Sequence, residues 1–283
     1  MIFITTPAGT VGSALVQRLT SLKVPFRAGY RSQAKADEAK SPLTETVVFE
    51  FEKPDTFATA LRGVKELFLL SPPGLNDREA GVIDAAKAAG VKHIVKLSVW
   101  GADSDAFSFA RHHLPMEKKL KNSGVAYTIL RSNGFMQNFI SSFAPSIKNQ
   151  SAFYLPAKDA KISIIDVRDI AAVAAKVLTS NGSHHGKTYT LSGPESLSNA
   201  EVADKFTKVL GKKVNYVDVS DENFKQSLLG VGVPENMADG IIQLQHYYID
   251  GRAAQVTPDV EQVTGQRGIT FEHFVRDHAY EFR

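Results

Sequence analysis

The chain has 283 residues, 43% of them hydrophobic, enough for a sizeable core in one large domain or two small ones. Its formal charge of +3 is scattered rather than massed, which argues against nucleic acid or a membrane surface as partner. With no cysteine, disulfides, thiolate nucleophiles and cysteine-based metal sites are excluded, and a reducing cytoplasm is the expected location.

From Ile2 the chain enters an apolar run too short for a signal sequence or a membrane span. Strands are expected at Ile2–Thr6, Phe26–Tyr30, Glu45–Phe49, Glu66–Leu70, His93–Leu97 and Ala126–Leu130. Helical patterns at Val11–Leu22, Thr56–Leu61, Arg78–Ala89 and Met116–Asn122 lie between them. Gly90 and Gly124 stand where helices end, each followed by Val and a strand. This alternation predicts an α/β fold: a Rossmann-type, doubly wound parallel sheet covered on both faces. Beyond Arg131 the rhythm changes. A helix at Phe135–Phe143, a strand at Ile162–Ile165, a helix at Asp166–Leu178 and a strand at Thr188–Leu191 are expected. Ser198 with Glu201 three residues on forms a capping-box pattern, and that helix stops at Gly211. The division predicted is a Rossmann domain over 1–132, with 162–192 returning to it, and a smaller, mainly helical substrate-binding lobe over 133–161 and 193–283. That lobe sits at the carboxyl edge of the sheet, where open α/β sheets bind ligands.

The first strand runs into Thr6-Pro7-Ala8-Gly9-Thr10-Val11-Gly12. A strand, a tight turn of small residues and a helix make a phosphate-binding context, because amides at the helix start point at an anion and the dipole favours its charge. Gly9 lets the backbone approach the phosphates, and Gly12 lets helix and strand pack closely. Thr6 replaces the usual first glycine, and an ordinary strand-to-helix turn is the plain alternative. An NAD site carries an acid at the end of the second strand. Here that strand ends Ala28-Gly29-Tyr30-Arg31-Ser32, with Lys35 behind. A guanidinium there suits a 2′-phosphate, so NADP(H) is expected over NAD(H), against the alternative of a solvated arginine.

The stretches Thr6–Val16, Arg27–Ser32, Ser71-Pro72-Pro73, Lys92–Ser98, Gly124–Asn138, Ile165–Ala171 and Tyr189–Glu195 together resemble the NmrA-like branch of the atypical short-chain dehydrogenases. The likeness covers nearly the whole chain, and is nearest to the quinone, azo-dye and triphenylmethane reductases. It implies that Thr6, Ala8, Gly9, Thr10, Val11, Gly12, Arg31, Phe51, Ser71, Pro72 and Pro73 line the adenosine and pyrophosphate half of the dinucleotide. Ser98, Gly134 and Phe135 would then lie near the nicotinamide. Phe51 could equally be core, and the Ser71–Pro73 loop could simply end a strand.

Ordinary members of that wider group use a tyrosine and a lysine four residues apart on a helix. The match here, Tyr154-Leu155-Pro156-Ala157-Lys158, contains a proline that forbids the helical interior, so it is read as a decoy. In its place His112-His113-Leu114-Pro115 opens the helix before the sixth strand, with Pro115 as the first helical position. His113 would then sit in the positive field of a helix start as a neutral imidazole able to orient a substrate oxygen or relay a proton. A structural hydrogen bond is the alternative. The adjacent pairs His112-His113 and His184-His185 do not converge on a metal. Arg131 reads as a buried structural cation, with Asp166 and Asp169 as its partners unless they cap and open a helix. Trp100, Phe135, Phe139 and Tyr154 are candidate walls for an aromatic substrate, or core. The expected function is an NADPH-dependent reductase of a planar, electron-poor small molecule, with a homodimer possible. The alternative is a non-catalytic NADP(H)-binding redox sensor acting through a partner protein.

Overall fold

A computed structural model describes Met1–Arg283. Strands β1 (Ile2–Ile4), β2 (Phe26–Tyr30), β3 (Thr44–Val48), β4 (Glu66–Leu69), β5 (His93–Val99) and β6 (Ala126–Ser132) belong to one sheet. Two short lobe strands follow, β7 (Ala152–Leu155) and β8 (Lys161–Ile162), and β9 (Lys187–Leu191) rejoins the sheet. The order is β3-β2-β1-β4-β5-β6-β9 and every pairing is parallel, so the strand order reverses between β1 and β4. This is the expected doubly wound sheet, and the carboxyl edge at its reversal point is where open α/β sheets bind ligands. No helix is long and apolar enough to cross a membrane.

Alternation along the buried strands divides two cores. Ile2 and Ile4 face α1 (Thr10–Ser21) and later α7 (Val167–Leu178), whereas Phe3 faces α3 (Phe57–Leu61) and α4 (Glu79–Ala88). A short helix that the sequence pattern did not suggest, α2 (Gln33–Glu38), follows β2; the Ser32 hydroxyl caps it by accepting from the Lys35 amide. Gly90 and Gly124 adopt φ of +76° and +81°, the left-handed conformation expected at those helix ends.

The helix before β6 departs from expectation. It is α5 (Ser108–Lys121) and begins well upstream of Pro115, which lies inside it. Pro115 is exposed, so its ring faces solvent and the interruption is confined to one missing amide. His113 is therefore mid-helix, not at a helix start.

The lobe holds a third core, rich in phenylalanine. Its first segment is a π-helical turn at Phe139–Phe143 running into α6 (Ala144–Gln150), instead of a helix from Phe135. The expected strand at Ile162–Ile165 shrinks to β8, paired antiparallel with β10 (Leu197–Ser198), while Ile165 bridges Phe135. β7 pairs in parallel with β11 (Asn215–Asp218), so the lobe carries two small sheets besides helices. Ser198 and Glu201 make both bonds of a capping box at α8 (Asn199–Leu210), which ends at Gly211. The tail supplies α9 (Asp221–Gly230), α10 (Glu235–Ile249), α11 (Asp259–Thr264) and α12 (Phe271–Asp277).

Candidate functional site

The Thr6–Gly12 turn follows β1 at the reversal point. Thr5 and Thr6 both donate hydroxyl hydrogen bonds to the Leu70 carbonyl, at 2.7 and 3.1 Å, tying the end of β1 to the end of β4. α1 has Gly9 as its N-cap, no side-chain cap and no acid in its first turn, so its leading amides and positive end are left for an anion. Gly12 is buried, and a Cβ there would stand 1.8 Å from the Thr6 carbonyl oxygen. Close packing of helix on strand thus needs glycine at that position, as expected. Gly9 is more tolerant, its Cβ position lying 3.5 Å from the same oxygen. Ala8 and Thr10 are exposed and Val11 is buried beneath them.

The neighbouring strand ends complete this half. Arg31 follows β2, is exposed, and pairs with no carboxylate. Phe51, beyond β3, is buried and meets Phe49 edge-on with ring centroids 5.1 Å apart, so most of its ring serves the core. Ser71 is buried after β4, while Pro72 and Pro73 reach progressively outward.

On the other side of the reversal point the residues are side-chain assemblies. Ser98, on β5, donates its hydroxyl to Glu117 Oε1 at 2.6 Å. Glu117, fully buried on α5, also accepts two guanidinium bonds from Arg131, and Arg131 reaches Asp103 at 2.6 Å. Of the two readings of Asp166 and Asp169, partnership with Arg131 fails and the helix cap and first-turn acid hold: the parallel register that sets Arg131 beside Ser98 brings α5's carboxylate to it instead. Hydrogen bonds to Glu117 outweigh burial and push the Arg131 pKa up, so the guanidinium stays charged. Asp166 caps α7 by accepting from the Arg168 amide and is paired with the Arg168 side chain.

A second assembly was not anticipated. Lys96, on β5 with no exposed surface, is ion-paired to the equally buried Glu79 of α4. Glu79 Oε1 accepts from the Ser71 hydroxyl at 2.9 Å, and the Lys96 ammonium lies 3.4 Å from His113 Nδ1. The other ring nitrogen, Nε2, faces the Asn76 amide at 3.3 Å, in the same β4–α4 loop as Ser71–Pro73. The His113 pKa falls well below its ordinary value, through burial first, then Lys96, then His112. The imidazole is neutral as expected, but burial and a lysine do this rather than a helix start. The clue in the sequence was Ile94-Val95-Lys96-Leu97: a lysine in a strand buried on both faces requires a carboxylate.

The aromatic candidates do not gather into one wall. Trp100 is 8% exposed, donates to the Arg252 carbonyl at 2.8 Å and lies in the lobe core. Phe139 is packed among Phe143, Phe153, Phe206 and Phe271. Phe135 packs against the α1–α7 side of the sheet. Tyr154 sits on β7 and bonds Gln150, and Lys158 has φ +47°, so this spaced pair has no helical geometry. Gly134, after β6, meets instead a residue the sequence gave no reason to select: a Cβ on it would stand 3.0 Å from the Tyr248 hydroxyl.

The uncapped start of α1, an unpaired arginine and a buried polar interior thus follow the ends of neighbouring strands of one sheet. A family model described as the NmrA-like family matches residues 1–271. The chain belongs to the NmrA-like family. It is 37% identical to the NAD(P)H azoreductase of Xenophilus azovorans over 285 residues, covering 100% of this chain and 99% of that one. Among solved structures it is similar to the Escherichia coli NADPH-dependent quinone oxidoreductase complexed with NADPH, with TM-score 0.89 and 30% identity over 99% and 100% of the two chains. The triphenylmethane reductase of Citrobacter sp. complexed with NADP(H) gives 0.88 and 27% over 98% and 99%. This NmrA-like chain is accordingly an oxidoreductase, with the seven-stranded parallel sheet of its relatives.

Proposed function

We propose that this chain is an NADPH-dependent reductase of a planar, electron-poor organic acceptor of the quinone or azo-dye kind. The observation that carries the reading is the Gly12 contact, which brings the uncapped start of α1 against the end of β1 at the sheet's reversal point. Its amides would hold the pyrophosphate. Arg31, unpaired at the end of β2, would take the 2′-phosphate bidentately and favour NADP(H) over NAD(H). Pro72 and Pro73 would flank the dinucleotide, with Gly134 and Phe135 at its nicotinamide end. When bound, the reduced cofactor supplies a hydride.

The protein's part is then to hold the acceptor and meet the charge that develops on it. A conjugated acceptor spreads that charge, which lowers the demand for a tyrosine acid. His113, kept neutral, donates a hydrogen bond to the reduced oxygen or nitrogen instead of protonating it outright; a neutral imidazole can act as such an electrophile. Names of relatives support the acceptor class: azo, quinone and triphenylmethane reductases.

Purified protein is tested with NADPH and NADH against quinone, azo-dye and imine acceptors. NADPH-dependent reduction of at least one is expected, and His113→Gln should lower kcat on the order of a hundredfold. Arg31→Ala should weaken NADPH binding about tenfold or more while leaving NADH nearly unchanged. Equal losses for the two cofactors would remove the preference. Tight binding with no turnover of any acceptor would instead favour a sensor, the reading that the missing helical tyrosine–lysine pair also permits.

A further inference from the structure

A lysine ammonium has three hydrogens and accepts nothing. Lys96, with no exposed surface, meets three acceptors: Glu79 Oε2, the Leu97 carbonyl at 3.3 Å and His113 Nδ1 at 3.4 Å. Each hydrogen has one place to go. The carboxylate that neutralises the lysine is itself anchored, since Glu79 Oε1 accepts from both the amide and the hydroxyl of Ser71. The ammonium therefore cannot swing away from the imidazole without breaking a buried ion pair.

We propose that Lys96 is a positioning residue that fixes His113 in the tautomer bearing hydrogen on Nε2. Nδ1 accepts from Lys96, so in the neutral ring the hydrogen resides on the far nitrogen. That nitrogen faces Asn76 in the β4–α4 loop. Two donors cannot share this contact; turning the Asn76 amide over places its oxygen against the Nε2 hydrogen, and the two arrangements have the same shape. Asn76 then serves as the resting partner that an acceptor oxygen displaces. The inference rests on the role given to His113 above, and it explains how a half-buried histidine presents a donor and not a lone pair. The groups facing the ring are Lys96 from β5, Asn76 from the loop and His112 on its own helix; Glu79 reaches it only through Lys96.

Long-range proton–nitrogen NMR of the uniformly labelled protein near neutral pH tests this, with the His113 signals assigned by their loss in His113→Gln. The expected pattern is a protonated Nε2 and an unprotonated Nδ1. A protonated Nδ1, or an averaged pair, overturns the proposal. The double variant Lys96→Met, Glu79→Gln removes the ammonium without leaving a carboxylate alone. It should lose the fixed tautomer, raise the ring's pKa, and lower kcat on the order of tenfold with the KM for NADPH unchanged. An unaltered His113 signal in that folded variant also overturns it. If the variant does not fold, the spectrum of the native protein decides. The NMR pattern needs no turnover, so an expected tautomer in a protein whose His113→Gln variant keeps full activity would sink the catalytic reading of His113 and leave the Lys96 assignment standing.

Discussion

The Thr6–Gly12 turn and the interior behind β5 open on the same edge of one sheet, but they are made of different material. The turn is main chain: amides of α1, a carbonyl at Thr6, and glycines where side chains would collide. The interior is side chain: Ser71, Glu79, Lys96 and His113 on one side, Ser98, Glu117 and Arg131 on the other. A main-chain site depends on how closely two elements approach. A side-chain site depends on every charge having its partner. The two should therefore break in different ways.

The largest effect is expected from Glu117→Ala. It strips Arg131 of its bidentate partner and Ser98 of its acceptor while Arg131 stays largely buried. Removing one member of a buried pair costs about 3–5 kcal/mol, and the lower end is expected here because Asp103 still pairs with Arg131. Urea unfolding measures it, and a loss below about 1 kcal/mol would show that solvent reaches Arg131 and that the interior is not a closed assembly.

Gly12→Ala comes next. The new methyl would meet the Thr6 carbonyl oxygen at 1.8 Å, so α1 must shift off β1. A cost of about 2–3 kcal/mol is expected, together with at least a tenfold loss of NADPH affinity as the amides leave their places. Gly9→Ala, with 3.5 Å of room, is the control and should spare the fold. If calorimetry shows Gly12→Ala binding NADPH as the native protein does, the cradle is not what holds the pyrophosphate.

That difference in material also explains what could be read in advance. The strand–turn–helix at Thr6–Gly12, the sheet and the Ser198 capping box follow from local spacing, and all three are present. The start of α5 was misplaced because Pro115 resembles a helix opening, although an exposed proline is tolerated here about two turns inside. Lys96, Glu79 and Asn76 come together only through the register of β4 and β5 and the packing of α4, which no short stretch encodes. Arg131 is the structural cation expected, but its carboxylate partner lies on the helix beside its strand, while Asp166 and Asp169 serve the start of α7, the other role open to them. Phe139 and Trp100 look alike as wall or core in sequence, and only the lobe's packing assigns them to core.

A third buried carboxylate sharpens the contrast, because it has neither arrangement. Asp169, 7% exposed near the start of α7, accepts a hydrogen bond from the Ile269 amide at 2.8 Å, and no cation lies within ion-pair distance. Burial pushes its pKa up to about 6, against that hydrogen bond, with the nearby Asp166 adding to the rise. The folded protein therefore holds this proton more tightly than the unfolded chain, whose aspartate titrates near 3.8. The resulting stabilisation is complete below the unfolded value and is lost as pH rises through the folded one, leaving a buried uncompensated charge at neutral pH. Asp169→Asn keeps an oxygen for the Ile269 amide and removes that charge. The variant should be more stable than the native protein by on the order of 1 kcal/mol or more at about pH 8, with the gap narrowing as pH falls and closing only near about pH 4 or below. Thermal melts at the two pH values decide it. A variant less stable at both would mean that the second oxygen of Asp169 has a partner of its own, and that this carboxylate too belongs to a closed side-chain assembly.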